Sequence, residues 1–294
     1  MKKLGLFIKL GRPRQYVKNG FIFLPVFFGY NFSDTSSITN TLWAFVVFSL
    51  AASAVYVFND IEDIQEDLGH PKKRFRPLPS GEISKRDAFL FFSGLVIGTL
   101  LLGSLLLPPP FLVILLFYLV LNIVYSLFLK HIAIVDVVCV AIGFVLRVLA
   151  GGVAAEVHPS HWLVLMTFLI ALFIALAKRR DDLLLAANGN NLRKSLDVYN
   201  LEFASNSMMI MAAVTIVSYI LYTVSPEVSA KHGSQNLYLT TLWVIIGFMR
   251  YMQHTFVYKR SGSPTEVLLK DRFLQAVIIL WLLSSFIIIN VSGL

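Results

Sequence analysis

Charge is scarce in this 294-residue chain: Asp, Glu, Lys and Arg make up 14% of it against 57% hydrophobic residues, and the mean hydropathy is +0.74. That balance excludes an ordinary soluble domain and fits a membrane-embedded one. No polar stretch is long enough to fold by itself, so residues 1–294 read as a single intramembrane domain. Cysteine is nearly absent. The one thiol, Cys139, lies in an apolar run, which excludes a disulfide framework or a thiolate metal site and leaves it a small core residue. The six histidines lack zinc spacing. There is no Ser-His-Asp order, no Gly-rich phosphate loop, no solenoid repeat and no low-complexity tract. Near the N-terminus Lys9, Arg12 and Arg14 interrupt any signal-peptide core, so no cleavable leader is expected.

What is there is apolar runs. Nine are long enough to approach a membrane crossing: 16–32, 41–60, 88–107, 111–129, 134–155, 161–177, 207–224, 237–256 and 273–291. The expected fold class is therefore an all-α membrane bundle of nine transmembrane helices. The first run is short and contains glycine, and Pro108, Pro109 and Pro110 make a tight turn between the third and fourth. Gly151 and Gly152 in the fifth suit close helix packing. Apart from Lys231, and from Arg147 and Arg250 inside runs, the 25 Lys and Arg lie in alternate connections. Positive charge collects on the cytoplasmic side, which places the N-terminus inside and, with nine crossings, the C-terminus outside. This distribution explains the net charge of +8 without nucleic acid.

The most unusual stretch is Tyr56–Pro79, YVFNDIEDIQEDLGHPKKRFRPLP. At 100° per residue Asn59, Asp60, Asp63 and Asp67 fall within about 100° of one another, with Glu62 and Glu66 flanking and Ile61 and Ile64 opposite. Gly69 and Pro71 end the helix, and Lys72, Lys73, Arg74 and Arg76 follow. Carboxylates at this density repel unless a cation sits among them. Hard oxygen donors favour Mg2+, with Mn2+ as the alternative. Such an ion binds through one or two carboxylates plus substrate phosphates, and the adjacent bases supply the other half of a phosphate clamp. The competing reading is a solvated juxtamembrane face; the one-sided arrangement and continuity with the second run argue against it.

A second constellation, YSLFLKHIAIVD at 125–136, sets Tyr125, Ser126, Lys130 and Asp136 at the same membrane level. Asp136, Val140, Gly143 and Arg147 then form one helical stripe, with Arg147 about 16 Å along the axis from Asp136. An intramembrane Arg is functional by default, the plainer reading being an Arg bound at a helix interface. The sixth run ends in Lys178, Arg179, Arg180, Asp181 and Asp182, followed by Arg193 and Lys194. Those bases serve as positive-inside markers or as phosphate ligands. Arg12, Arg14 and Lys18 enter the first run, and Asp271 and Arg272 open the last.

NDIEDIQED resembles the NDxxDxxxD motif of the UbiA-type intramembrane prenyltransferase superfamily. RPRQYVKN, HPKKRFRP, YSLFLKHIAIVD, LRVLAGG, KRRDDL, RKSLDVY and LKDRFLQ narrow the resemblance to its decaprenyl-phosphate phosphoribosyltransferase subfamily, over residues 12 to 275. The resemblance implies a UbiA-like bundle open to the cytoplasm in the plasma membrane, with Mg2+ held by Asn59, Asp60, Asp63 and Asp67. It implies phosphoribosyl diphosphate (PRPP) as donor, a polyprenyl phosphate as acceptor and a product feeding cell-wall polysaccharide. Lys73, Arg74, Arg76, Lys130, Lys178, Arg179, Arg193 and Lys194 are then candidates for phosphate groups. Tyr125 and Asp136 are candidates for the ribose or a second cation, and Arg14 and Lys18 for the lipid phosphate, with Arg147 and Asp182 completing the substrate set. Asp182 stands where the subfamily leads one to expect Glu, and the second motif carries one aspartate rather than two. Two other activities stay open: transfer of a prenyl group from its diphosphate to an aromatic acceptor, and non-catalytic transport of a lipid phosphate. Association with further copies of the chain is also left open.

Overall fold

The structure, a computed structural model, describes residues 2–29, 34–69, 73–187, 198–232, 234–259 and 263–291. Two compact units emerge, one of Met1–Ser160 with Leu185–Tyr199, the other of His161–Leu184 with Asn200–Leu294. Among the described residues there is no strand.

In the first unit α1 (Lys2–Gly11) leads into a 3₁₀ helix, Pro13–Phe23, and the short α2 (Leu24–Gly29). Then come α3 (Thr35–Glu62), α4 (Ile64–Leu68), a 3₁₀ turn at Lys73–Phe75, α5 (Lys85–Leu106) and α6 (Pro109–Leu127). A 3₁₀ turn at Leu129–His131 leads to α7 (Val135–Ala154). The hub is α3, packed against α1, the Pro13–Phe23 helix, α5, α6 and α7. Its small residues make that possible: Ala44, Ser49, Ala51, Ala52, Ser53 and Ala54 are all buried and let neighbours approach from several sides. Phe48, Phe111, Leu115 and Leu146 fill the space between α3, α6 and α7.

The Pro13–Phe23 helix is wound with a purpose that period and rise explain. In a 3₁₀ helix residues three apart eclipse, so Pro13, Tyr16, Asn19 and Ile22 share one face. Tyr16 Oη meets Ser53 Oγ at 2.8 Å and Asn19 Nδ2 donates to Ser49 Oγ at 3.0 Å. Three 3₁₀ residues rise about 6 Å, as do four α-helical ones, so the two antiparallel ladders stay in register. Ile22 closes the row against α7, where a Cβ on Gly151 would lie 2.0 Å from the Ile22 carbonyl oxygen. The expectation that Gly151 and Gly152 permit close packing thus holds, with the Ile22 backbone as the partner of Gly151 and the Pro159 ring and Val157 carbonyl as those of Gly152.

In the second unit α8 (His161–Ala187), whose last three residues belong to the first unit, precedes α9 (Leu201–Val224), α10 (Pro226–His232), a 3₁₀ turn at Asn236–Thr240, α11 (Thr241–Phe256), α12 (Pro264–Lys270) and α13 (Arg272–Val291). Trp281 Nε1 donates to Tyr219 Oη at 2.8 Å, and Tyr219 meets Thr240 Oγ1 at 2.6 Å, tying α9 to α13 and the 3₁₀ turn.

Seven of the described helices, α3, α5, α6, α7, α8, α9 and α13, are long and apolar enough to cross a membrane. The other two expected crossings, 16–32 and 237–256, fall on composite segments that combine 3₁₀ and α-helical winding. The expected sixth run stopped at residue 177, but α8 continues to Ala187, so Lys178–Asp182 is helical.

Candidate active site

The acidic ridge forms where α3 ends. Asp63 leaves the helical backbone (φ −85, ψ 5) and α4 restarts one residue later. The ridge faces inward: Asp60, Asp63 and Asp67 are each 1% exposed, while Glu62 and Glu66 point out. Three buried carboxylates demand partners, and four bases from three separate stretches supply them. Arg12 pairs with Asp60. Arg76 Nη1 bridges Asp60 Oδ1 at 3.1 Å and Asp67 Oδ2 at 2.5 Å, and Lys73 Nζ is 3.6 Å from Asp67. Lys130, itself 3% exposed, pairs with Asp63. Arg12 adopts a left-handed backbone (φ 53) at the break between α1 and the 3₁₀ helix. For a non-glycine residue that costs about 1–2 kcal/mol, and the Asp60 contact offsets it.

A polar relay joins the two sequence motifs. Ser126 Oγ donates to Asn59 Oδ1 at 3.2 Å, and Asn59 Nδ2 donates to Asp63 Oδ2 at 2.8 Å. Among the described residues no three His, Cys, Asp or Glu side chains converge as a preformed metal cage. The donor set nonetheless fits magnesium, which needs one or two carboxylates and completes its shell with water and phosphate. Asn59, Asp63 and Asp67 offer oxygens of that kind.

Other expected site residues lie elsewhere. Arg74 is exposed and its guanidinium covers Phe75, away from the ridge carboxylates. Tyr125 is half-buried on α6. Arg14 is exposed whereas Lys18 is half-buried, because positions four apart fall on different faces of a 3₁₀ helix. Asp136 is fully buried, and its Oδ1 accepts from Tyr199 Oη at 2.8 Å while Ile134 N donates to the same hydroxyl at 2.7 Å. Its carboxylate therefore clamps the Tyr199 segment to the start of α7. Arg147 does not reach along its stripe to Asp136. Its Nε donates to Asn19 Oδ1 at 2.7 Å, Nη1 to the Gly143 carbonyl at 2.6 Å and Nη2 to Tyr118 Oη at 3.0 Å. Sequence reasoning missed Tyr199 and Asn19, whose roles depend on chain segments far away. It also passed over Tyr56, although that residue sits one helical turn before Asp60.

In the second unit Lys178 is exposed, and Arg179 is buried with Nη1 3.0 Å from Asp182 Oδ2. Arg180 Nη1 donates to the Thr255 carbonyl at 2.7 Å. Asp271 is buried between α12 and α13. Its Oδ2 accepts from Arg250 Nε and Nη2 at 3.0 and 2.7 Å and touches His254 Nε2, while Oδ1 caps α13 through Leu274 N at 2.6 Å. Arg193 and Lys194 lie outside the described residues.

Comparison with known proteins agrees with this architecture. The chain is 32% identical to the decaprenyl-phosphate phosphoribosyltransferase of Mycolicibacterium smegmatis, covering 94% of this chain and 89% of that protein. It is 31% identical to the enzyme of the same name from Corynebacterium glutamicum, over 93% and 83% of the two chains. Among solved structures, a UbiA homolog from Archaeoglobus fulgidus bound to DMAPP and Mg2+ matches with a TM-score of 0.72 at 19% identity, covering 97% of this chain and 99% of that one. The model of the UbiA prenyltransferase family matches residues 22–277, and the chain belongs to that family.

Proposed function

We propose that this membrane enzyme transfers 5-phosphoribose from PRPP to a polyprenyl phosphate and releases diphosphate. The observation that carries the reading is the charge balance of the first unit, taken with the end-to-end similarity to decaprenyl-phosphate phosphoribosyltransferases. Around Asp60, Asp63 and Asp67 stand Arg12, Lys73, Arg76 and Lys130, and beyond them Lys18 and Arg147 add two more cations. A donor with a diphosphate and a 5-phosphate, and an acceptor with a third phosphate group, needs such a surplus. A prenyl diphosphate with an aromatic acceptor does not.

Asn59, Asp63 and Asp67, with Asp60 beside them, would hold Mg2+ or Mn2+. Bound there, the ion would neutralise diphosphate oxygens and charge building on the leaving group. Arg76 and Lys130 already sit within hydrogen-bond reach of the ridge, so an arriving diphosphate offers them anionic partners where the carboxylates now serve. Donors fixed in place this way spare reorganisation as charge develops. Tyr125 stands as a ribose contact, and Asp136 acts from behind as a positioning residue.

We read the topology as nine crossings with the N-terminus and the ridge cytoplasmic in the plasma membrane. Two features support it. The 3₁₀ helix rises about 2.0 Å per residue, so residues 13–29 span about 30 Å, as much as a hydrocarbon core. That segment also follows α3 from Asp60, held by Arg12, to Gly29, whose Cβ position abuts Val157 near the Ala155 carbonyl that accepts from Ser37.

The test supplies membranes containing the protein with labelled PRPP and polyprenyl phosphate, and separately with a prenyl diphosphate and an aromatic acid. Labelled lipid is expected in the first assay. Product confined to the second overturns the substrate assignment.

A further inference from the structure

The bend between α6 and α7 holds a backbone conformation that its residue does not favour. Four non-glycine residues among those described have positive φ, and Ile134 is the β-branched one, at φ 69 and ψ −49. For a β-branched side chain that region is a genuine outlier, close to the strained γ-turn of positive φ. Packing of the side chain does not explain it, because Ile134 is 57% exposed. A hydrogen bond from 65 residues further along the chain does. Ile134 N donates to Tyr199 Oη at 2.7 Å, and that hydroxyl donates to Asp136 Oδ1 at 2.8 Å. Tyr199 and Asp136 are both buried. Strain of this kind persists only where the surroundings over-determine it. Here one phenolic oxygen grips both the bent residue and the first turn of α7.

What the bend positions is Lys130. The 3₁₀ turn that carries this residue is tied to its own ends, His131 N donating to the Phe128 carbonyl at 3.2 Å and Ile132 N to the Leu129 carbonyl at 3.1 Å. Asp136 N then donates back to the Ile132 carbonyl at 3.0 Å. Ile134 lies between the two, so turning its φ to an ordinary negative value swings the 3₁₀ turn against α7. Lys130 is 3% exposed and paired with Asp63, and it has little room to follow such a swing. We propose that Tyr199 is a positioning residue for Lys130: its hydroxyl holds the Ile134 bend and so keeps the ammonium group aimed at the ridge. The proposal rests on the phosphoribosyl-transfer reading, in which Lys130 meets the diphosphate, and adds what fixes that donor in place. Tyr199 acts through the backbone and not on the reacting atoms. A donor already in place stabilises charge on the leaving group without reorganising, and a displacement of about 1 Å can cost about a hundredfold in rate.

Tyr199→Phe keeps the ring and removes the bond. In proteoliposomes it is expected to lower kcat about 10–100-fold. KM for PRPP and for polyprenyl phosphate should stay nearly unchanged, as when an interaction made only in the transition state is lost. Glycine takes positive φ without strain. Adding Ile134→Gly to Tyr199→Phe should therefore restore most of kcat, whereas adding Ile134→Ala, which keeps the Cβ, should not. An unchanged kcat in Tyr199→Phe, or rescue by both second changes or by neither, would overturn the proposal. If Tyr199→Phe alone fails to fold, the yield of folded double variants decides by the same glycine-against-alanine comparison. A second readout needs no substrate. With Tyr199 aiming Lys130, Lys130→Met should lower the melting temperature in detergent less in the Tyr199→Phe background than in the wild type. Equal drops would sink the assignment whatever the assays give. If the wild type makes no phosphoribosyl lipid and the drops still differ, the transfer reading falls and the positioning of Lys130 stands.

Discussion

Asp63 concentrates the chemistry of single residues. Its two oxygens face different partners, Lys130 on one side and the Asn59 amide on the other at 2.8 Å. Asp63→Asn keeps the shape and removes the charge, leaving Lys130 buried without its counter-ion and the ridge one anion poorer. Turnover in membranes is expected to vanish; near-normal product formation would reject the metal assignment. Lys130→Met should be damaging by the reciprocal route. Because each single change strands a buried charge, the double variant Asp63→Asn/Lys130→Met should be less destabilised than the two losses added together. A thermal-melt cycle in detergent should show a coupling of about 1–3 kcal/mol. The common face of Asp60, Asp63 and Asp67 was legible in the sequence because i, i+4 arithmetic is local. Their partners were not. Arg12 and Lys130 reach the ridge from 48 and 67 residues away, and nothing in spacing encodes that approach. Asp136 shows the same limit: its level in the membrane was readable, its burial under Tyr199 was not.

At the scale of elements, hydropathy found the apolar runs but was blind to how two of them are wound. The Pro13–Phe23 segment carries the signal in its period: Pro13, Tyr16, Asn19 and Ile22 recur every three residues, a pattern that a search for 3.6-residue periodicity passes over. Its closest approach is backbone to backbone at Gly151, where an added methyl would meet the Ile22 carbonyl. Gly151→Ala should therefore cost about 1–3 kcal/mol, the usual range for overpacking, and lower the melting temperature in detergent. The change should spare the assay if the 3₁₀ helix can shift outward. In the second unit Asp271 staples α11 to the start of α13. Burial pushes its carboxyl up, but the Arg250 guanidinium, the Leu274 amide and His254 outweigh that and hold it well below the usual carboxylate range. A carboxyl depressed on folding stabilises the protein fully above its unfolded pKa, about 3.9, and loses that contribution as pH falls further. Asp271→Asn is expected to lower stability by about 1–3 kcal/mol near neutrality. The gap between wild type and variant should narrow once pH drops below about 4. Melting curves across pH 3 to 7, taken as a range around that pKa, would show it. A gap that does not change with pH would mean that the staple acts by packing and not by charge.

For the whole molecule the decisive quantity is the number of crossings, because it fixes which side of the membrane meets PRPP. Seven helices qualify by length and composition. Of the remaining two candidates, 13–29 is short when counted as α-helix, about 26 Å, whereas 236–256 already reaches about 32 Å. Their 3₁₀ stretches lengthen them, the second to about 34 Å. If both cross, Lys3 lies on the same side as the ridge, as its 3.4 Å contact with Asp87 at the start of α5 suggests, and Lys259 lies there too. If 13–29 fails to cross, Lys3 moves to the opposite side from Arg74. If 236–256 fails, Lys259 does so and α13 inverts. The chain's one cysteine makes the experiment clean. In a Cys139→Ala background, single cysteines at Lys3, Arg74, His158 and Lys259 can be challenged with a membrane-impermeant maleimide in intact cells and in inverted vesicles. With nine crossings, Lys3→Cys, Arg74→Cys and Lys259→Cys should be labelled only in inverted vesicles and His158→Cys only in intact cells. Labelling of Lys3→Cys from outside would remove the first crossing.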